Sequence, residues 1–333
     1  MSFNLDKRLI VVTGAAGFIG SGVVSFLNGE GINNLLLVDD IKKSEKWKNL
    51  VGKKFCGFIS KHELFNWLQG RESEIQAIIH LGACSDTLEK DGDYLMENNY
   101  RYSVKLAEYA LKQDIRFICA SSAATYGDGS NGFSDDHDLL EYLQPLNLYG
   151  YSKHLFDLWA KQQGALRQIV SLKYFNVFGP NEYHKGHMSS MVYKMLPKAQ
   201  NEGIIKLFKS TEPDRFKDGG QCRDFIYVKD AAKMTCGFLK NKDAGIFNIG
   251  SGKTTTWNEL AGALFKALEK PERIEYIDMP LDLAKQYQNY TCADMSKYLK
   301  HNHPSCFTLP LQYPTEEAVL DYVRNYLLKE ERW

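Results

Sequence analysis

Residues 9–40 carry an order of elements that few folds accommodate. Leu9-Ile-Val-Val12 is a β-branched run of strand length, broken by Thr13-Gly-Ala-Ala-Gly-Phe-Ile-Gly20. Ser21 to Leu27 then reads as helix, and Leu35-Leu-Leu-Val38 is a second apolar strand ending at Asp39-Asp40. Gly14, Gly17 and Gly20 form G-x-x-G-x-x-G, a spacing that differs from G-x-G-x-x-G but sits in the same strand-to-helix setting. Glycines there allow a tight turn and close approach of backbone to a pyrophosphate, and the helix N-terminus supplies N–H donors. By itself the motif is also compatible with a glycine turn packed for the fold alone. The strand before it, the helix after it and the acid beyond favour a dinucleotide loop. A carboxylate at Asp39 is placed to accept from an adenosine ribose hydroxyl.

Further apolar runs follow at Ala77 to His80, Arg116 to Ala120, Ile169 to Phe175 and Gly245 to Ile249, with helical periodicity over Tyr94 to Gln113. Strands that are apolar throughout and alternate with helices predict a parallel sheet covered on both faces. The alternation blurs after Phe178, where Gly, Pro, Lys and His are frequent. One helical patch lies near Met188 to Gln200, with a late strand at Arg273 to Met279 and a helix at Thr315 to Leu328. The expected fold is α/β: a Rossmann-type doubly wound parallel sheet with a smaller C-terminal substrate-binding lobe. The dinucleotide-binding core comprises 1–178 plus about 225–270, and the lobe about 179–224 plus 271–333. Gly250-Ser-Gly-Lys-Thr254 looks like the end of a phosphate loop, but the glycine required five residues before Gly252 is Phe247. It reads as a strand-to-helix turn with Lys253 in solvent.

The chain has 41 basic and 41 acidic residues in 333, so a protein binding nucleic acid through a basic surplus is disfavoured. Neutrality in sum leaves room for small anions held by local cations. The seven cysteines, Cys56, Cys84, Cys119, Cys222, Cys236, Cys292 and Cys306, are scattered without a CxxC pair. Neither a metal site nor a disulfide framework is expected, and reduced thiols fit a cytoplasmic protein. No run approaches the ~18 apolar residues of a membrane span, and no cleavable leader is expected.

Ser122 and Tyr149-Gly-Tyr-Ser-Lys153 form the expected chemical centre. Tyr149 and Lys153 are four apart and share a helical face, whereas Tyr151 faces elsewhere. An ammonium near a phenol favours the phenolate, which removes a hydroxyl proton as hydride leaves the carbon. Ser122, at a strand end, is placed to orient that hydroxyl. Y-x-x-x-K alone is weak and often marks a solvated helix face. It gains force from the Ser-Ser strand end and the dinucleotide loop.

These motifs, with Phe175-Asn-Val-Phe-Gly-Pro180, Arg223-Asp-Phe-Ile-Tyr-Val228 and Phe247-Asn-Ile-Gly250, resemble the extended short-chain dehydrogenase/reductase superfamily of nucleotide-sugar epimerases and dehydratases. Gly82-Ala-Cys-Ser85, Asn98-Asn-Tyr100, Ala120-Ser-Ser-Ala-Ala-Thr-Tyr-Gly127, Pro145 to Lys153, Glu182-x-His-Lys-Gly186 and Tyr287-Gln-x-x-Thr291 are similar to the ADP-L-glycero-D-manno-heptose 6-epimerases within it. The likeness spans nearly the whole chain. It implies an NADP-dependent isomerase of ADP-heptose in lipopolysaccharide inner-core biosynthesis. Hydride leaves C6'', the ketone turns, and hydride returns to the other face. It also implies a homo-oligomer, typically a pentamer, with no nucleic-acid or membrane partner.

Carried over by position, Tyr149 and Lys185 are the two acid/base groups, with Ser122 and Lys153 beside Tyr149. Gly14, Gly17, Phe18, Ile19, Gly20, Asp39, Asp40, Lys46, Lys61, Leu81, Gly82, Ala83, Cys84, Ser85, Asn98, Tyr149, Lys153, Val177 and Lys185 contact the cofactor. Ser122, Asn176, His187, Lys194, Phe208, Arg223 and Tyr287 contact the sugar nucleotide. Read apart from the resemblance, Lys185 is a lysine in a polar loop. Arg223 suits a diphosphate by its fork geometry, or a surface ion pair. Leu81 stands where a related form has glutamate, His187 where a serine would bind substrate, and Lys194 where a histidine would. Residues 211–221 make a longer segment than in shorter members. Asp39 favours NAD through the 2'-hydroxyl, whereas Lys42, Lys43 and Lys46 suit the 2'-phosphate of NADP, the cofactor the resemblance implies. The alternative is another nucleotide-sugar epimerase or dehydratase. A dehydratase usually has acidic residues after the catalytic serine, where this chain has Ala123 and Ala124. A sensing or scaffold protein on the same fold would have less need of Ser122, Tyr149 and Lys153 together.

Overall fold

A computed structural model describes residues 7–284, 287–301 and 311–333. Cys306 lies outside the described residues. The first half alternates as the apolar runs predict. Its strands are β1 (Leu9–Thr13), β2 (Leu35–Val38), β3 (Gly57–Ile59), β4 (Ile75–His80), β5 (Arg116–Ser122) and β6 (Val170–Tyr174). Its helices are α1 (Phe18–Gly29), α2 (Leu64–Leu68), α3 (Gly92–Leu95), α4 (Tyr102–Lys112) and α5 (Leu148–Gln162). Short strands follow: β7 (Asn176–Phe178), β8 (Ile205–Phe208), β9 (Cys222–Arg223), β10 (Phe225–Tyr227), β11 (Gly245–Ile249), β12 (Thr255–Thr256) and β13 (Ile274–Ile277). The later helices include α6 (Met191–Asn201), α7 (Val228–Gly237) and α8 (Trp257–Ala267).

Seven strands form one sheet in the order β3-β2-β1-β4-β5-β6-β11, and every pairing in it is parallel. This is a Rossmann-type sheet, continuous in burial because helices cover both faces. The strand order reverses between β1 and β4. A crevice therefore opens at the carboxyl ends of these two strands, where the glycine loop and Gly82 meet.

A second apolar cluster sits beside the sheet. Met195, Leu196 and Ala199 of α6 pack there with Leu260, Leu264 and Phe265 of α8 and with Val319 and Tyr322. Helix α8, which the expected division assigns to the core, packs with this cluster. Its N-terminus is fixed by a capping box in which Thr256 and Glu259 satisfy each other's backbone. The periodic stretch 94–113 is helical but interrupted by a π segment, Met96–Arg101, which carries Asn98 and Asn99.

Candidate active site

The glycines of the first loop are required by backbone contact. Gly14 has φ +67°, and a Cβ there would lie 2.7 Å from the Gly82 nitrogen. A Cβ on Gly20 would lie 2.1 Å from the Gly14 carbonyl oxygen. Helix α1 begins after Gly17 with no side-chain cap and no acidic residue in its first turn. Its leading N–H groups are thus free to meet an anion. Behind the loop a buried chain fixes the two strand ends. Thr13 Oγ1 accepts from Gly82 N–H (3.1 Å) and meets His80 Nδ1 at 2.6 Å, and His80 Nε2 meets Ser103 Oγ at 2.9 Å. Burial pushes the His80 pKa down to about 3, so the ring is neutral. Asn99 continues the chain by bonding both the N–H and C=O of Cys84 and the Ser152 hydroxyl.

Asp39 ends β2 and is nearly buried. Its carboxylate accepts from the Ala16 N–H (2.9 Å) and from the Lys46 ammonium (2.7 Å). Asp40 accepts from Ser60 Oγ at 2.7 Å, and Lys61 Nζ donates to Asn98 Oδ1 at 2.6 Å. Lys61, Asn98, Asp39, Asp40 and Lys42 border a side pocket of about 150 Å³. This opens next to a main cleft of about 750 Å³. The loop, its bare helix end and the Asp39–Lys46 wall match what a dinucleotide needs.

Among the expected residues, Gly14, Gly17, Phe18, Ile19, Gly20, Asp39, Asp40, Lys46, Leu81, Gly82, Ala83 and Ser85 line the main cleft. So do Ser122, Tyr149, Lys153, Asn176, Val177, Lys185, Arg223 and Tyr287. Cys84, Phe208, His187 and Lys194 are not part of its lining. Phe208 packs edge-on against Tyr287, with centroids 6.5 Å apart. His187 is exposed and faces Asp86 at 3.1 Å, and Lys194 is exposed on α6.

Tyr149 lies in the first turn of α5, capped by Asn147 Oδ1 accepting from Gly150 N–H at 2.8 Å. A Cβ on Gly150 would lie 2.8 Å from the Ala124 carbonyl oxygen, so this glycine lets the helix press onto the turn after β5. The contact sets Tyr149 and Ser122 together in the wall of the cleft, close enough for the Ser122 hydroxyl to favour the ionised phenol. Ser122 Oγ also accepts from Ala124 N–H at 3.1 Å. Lys153 is buried and donates to the Ala120 carbonyl at 2.8 Å. The expected lowering of the phenol is not met by the protein's own groups. Burial raises the Tyr149 pKa, the neighbouring Ser122 hydroxyl only partly offsets this, and Lys153 is engaged by the Ala120 carbonyl. Lys185 reaches the same cleft from the opposite segment, its ammonium 5.6 Å from the centre of the Phe18 ring. Burial lowers its pKa, and the Glu182 charge opposes this. Tyr151 is exposed, as its spacing from Lys153 predicts.

At the far end Arg223 is nearly buried, with its guanidinium 5.0 Å from the Tyr287 ring and 5.8 Å from the Trp257 ring. The Tyr287 hydroxyl accepts from Trp257 Nε1 at 2.8 Å, and Arg223 donates to the Cys222 carbonyl at 3.0 Å. The neighbouring Asp224 carboxylate accepts from Ser251 N–H (2.6 Å), Gly252 N–H (2.9 Å) and Ala293 N–H (2.9 Å). The loop that looks like a phosphate loop is therefore filled by this chain's own carboxylate, and Lys253 is exposed. Sequence reasoning missed Trp257, Asp224, Asn99 and His80. The Arg223-Asp-Phe and Asn98-Asn-Tyr motifs mark two of them. Trp257 carries no local signal, because its partner is 30 residues away.

Among the described residues there is no cluster of side chains able to hold a metal, and no helix long and apolar enough to cross a membrane. The profile of the NAD dependent epimerase/dehydratase family matches residues 10–250. An ADP-L-glycero-D-manno-heptose-6-epimerase of Nitratidesulfovibrio vulgaris is 48% identical over 96% of this chain and 98% of its own. One of Fusobacterium nucleatum is 44% identical over 98% of this chain and its whole length. The crystal structure of the Helicobacter pylori ADP-L-glycero-D-manno-heptose-6-epimerase superposes with a TM-score of 0.77 at 26% identity, covering 98% of this chain and 99% of that one. Fold, cleft and sequence thus agree: the chain belongs to the NAD dependent epimerase/dehydratase family and, within it, to the ADP-L-glycero-D-manno-heptose-6-epimerases.

Proposed function

We propose that this protein converts ADP-D-glycero-D-manno-heptose to ADP-L-glycero-D-manno-heptose at C6'', the step that supplies the heptose of the lipopolysaccharide inner core. The observation that carries the reading is the meeting of Tyr149 with Ser122 and of Lys185 in one cleft next to a dinucleotide loop. A bound nicotinamide supplies reversible hydride acceptance. Epimerisation also needs a proton group for each presentation of the carbinol, because the hydroxyl occupies two places. Burial moves the two candidate groups apart, raising Tyr149 and lowering Lys185. Groups separated in this way divide into acid and base. Lys185 as the neutral amine takes the C6'' hydroxyl proton, and Tyr149 as the phenol returns one to the ketone oxygen held by Ser122. The reverse reaction exchanges the two roles. Arg223 and Tyr287 hold the diphosphate end.

The finer cofactor reading is NADP. Its support is the Asp39 carboxylate, which is occupied by Ala16 N–H and Lys46, while Lys42 and Lys46 border the cleft where a 2'-phosphate would sit. Mass analysis of cofactor released by denaturing the purified protein tests this, and NAD as the released species would overturn it. The resemblance further carries a cytoplasmic homo-oligomer, which sedimentation analysis tests. The two-group scheme itself predicts that Lys185→Ala loses at least about a hundredfold in turnover while retaining cofactor. Undiminished turnover would remove Lys185 from the mechanism.

A further inference from the structure

Lys185 sits on a short 3-10 segment, Tyr183–Met188, kinked at Gly186, yet its amine has to be held to a fraction of an ångström. One brace is buried Glu182, which accepts from Ser190 N–H and Oγ within the segment and from the distant Tyr322 hydroxyl. A second brace comes from a distant part of the chain. Asn49 lies in the 3-10 turn Glu45–Leu50 and is 2% exposed. Its Nδ2 donates to the Ala16 carbonyl of the glycine loop (3.0 Å) and to the Asn181 carbonyl (3.0 Å), with His184 Nδ1 at 3.4 Å. Its Oδ1 accepts from Arg332 Nε at 3.1 Å. The Arg332 guanidinium lies 5.1 Å from the Tyr183 ring, and the Tyr183 hydroxyl donates to the Glu331 carbonyl at 2.7 Å. Asn181 is itself locked in a left-handed conformation (φ +79°), bonded to Ser21 Oγ and to both backbone groups of Trp333.

We infer that Asn49 is a positioning residue that ties the cofactor-binding wall to the loop carrying Lys185. Three lines of contact meet at its one carboxamide: the glycine loop, the 181–184 segment and the Arg332 side chain. Three residues earlier in that turn, Lys46 pairs with Asp39 at 2.7 Å. The Asn49 side chain thus braces the wall that meets the adenosine end of the dinucleotide against the loop that brings up the amine, alongside the Asn181–Ser21 contact. An amide is the group that fits. Two N–H donors face two carbonyls while the oxygen faces a guanidinium; a carboxylate would set an acceptor against both carbonyls.

The inference rests on Lys185 acting in the proposed function, and its test separates the two. Asn49→Ala and Arg332→Ala are prepared with their bound cofactor. The second is a partly exposed site that keeps the test open if the first misfolds. Turnover and KM for ADP-D-glycero-D-manno-heptose are measured, together with amide hydrogen exchange of residues 182–189. The expected result is a fall in kcat of about tenfold for Asn49→Ala and about threefold for Arg332→Ala. KM and cofactor content stay within about twofold, and exchange quickens in 182–189 alone. Two results overturn the inference: exchange in 182–189 equal to wild type in both variants, or faster exchange spread over the whole sheet with kcat and cofactor content falling together. If the wild-type protein leaves the heptose unchanged, the functional reading fails, while the exchange comparison still decides the brace.

Discussion

Tyr149 and Lys185 are moved in opposite directions by one cause, burial in the same cleft, and this sets the expected pH behaviour. In the proposed two-group scheme Lys185 must be neutral to accept a proton, so the rate should rise with pH through its pKa, below the ordinary lysine value of 10.5. Tyr149 must be protonated to donate, so the rate falls only above the ordinary phenol value of 10.0. A pH profile of kcat/KM should therefore show its acid limb in Lys185→Arg moved upward or erased, and its alkaline limb erased in Tyr149→Phe. An unchanged acid limb in the arginine variant would assign it to another group. His80 gives a residue-scale effect on stability instead. Its pKa is 6.5 unfolded and about 3 folded, so between these values the unfolded chain binds more protons. Its contribution is complete above pH 6.5 and is lost as pH falls towards 3. Thermal unfolding followed from pH 7 to pH 4 should show a steep loss of Tm that His80→Gln reduces. His137 and His184, both pushed down to about 4 by burial, keep part of the slope.

At the scale of elements, the β1–loop–α1 unit has the least tolerance. A methyl at Gly20 meets backbone on the opposite side of its own turn, with no flexible side chain able to yield. Gly20→Ala should lose bound cofactor and about 1–3 kcal/mol of stability, read by cofactor absorbance and denaturant unfolding; full cofactor content in this variant would show that the loop relaxes. This unit was legible in the sequence because its signals are local: a β-branched run, three glycines, a helix and an acid within one stretch. The same holds for β11 and for α5 with its Tyr149–Lys153 face. The pairs β7–β10, β9–β12 and β8–β13 were not legible as pairs. Each strand has two to four residues, too few for a period, and their pairing comes from contacts between distant segments. Asn49 escaped for the same reason, since its Asn181 partner lies 132 residues away. His187 and Lys194 were expected at the substrate from position alone, but the loop turns His187 towards Asp86 and α6 leaves Lys194 exposed.

In the whole molecule, the two apolar clusters are joined at the cleft by buried polar groups. Asp224, which follows β9, is one of them, holding the turn after β11 and Ala293 through backbone donors. Asp224→Ala strands those donors and should cost roughly 3 kcal/mol or more, with Arg223 displaced, so that KM rises along with the loss of stability in urea. A net charge of zero is consistent with this design. In the proposed function each anionic ligand would meet local groups, the end of α1 for one and Arg223 for the other, and no surplus is needed. On the proposed function the cleft inverts C6'' of an ADP-heptose with a cofactor it already holds. The most direct test is NMR of ADP-D-glycero-D-manno-heptose incubated with the purified protein and no added cofactor. The C6'' signals should shift to a mixture of the D-glycero and L-glycero epimers. A spectrum that stays unchanged, even after NADP and then NAD are added, would contradict it.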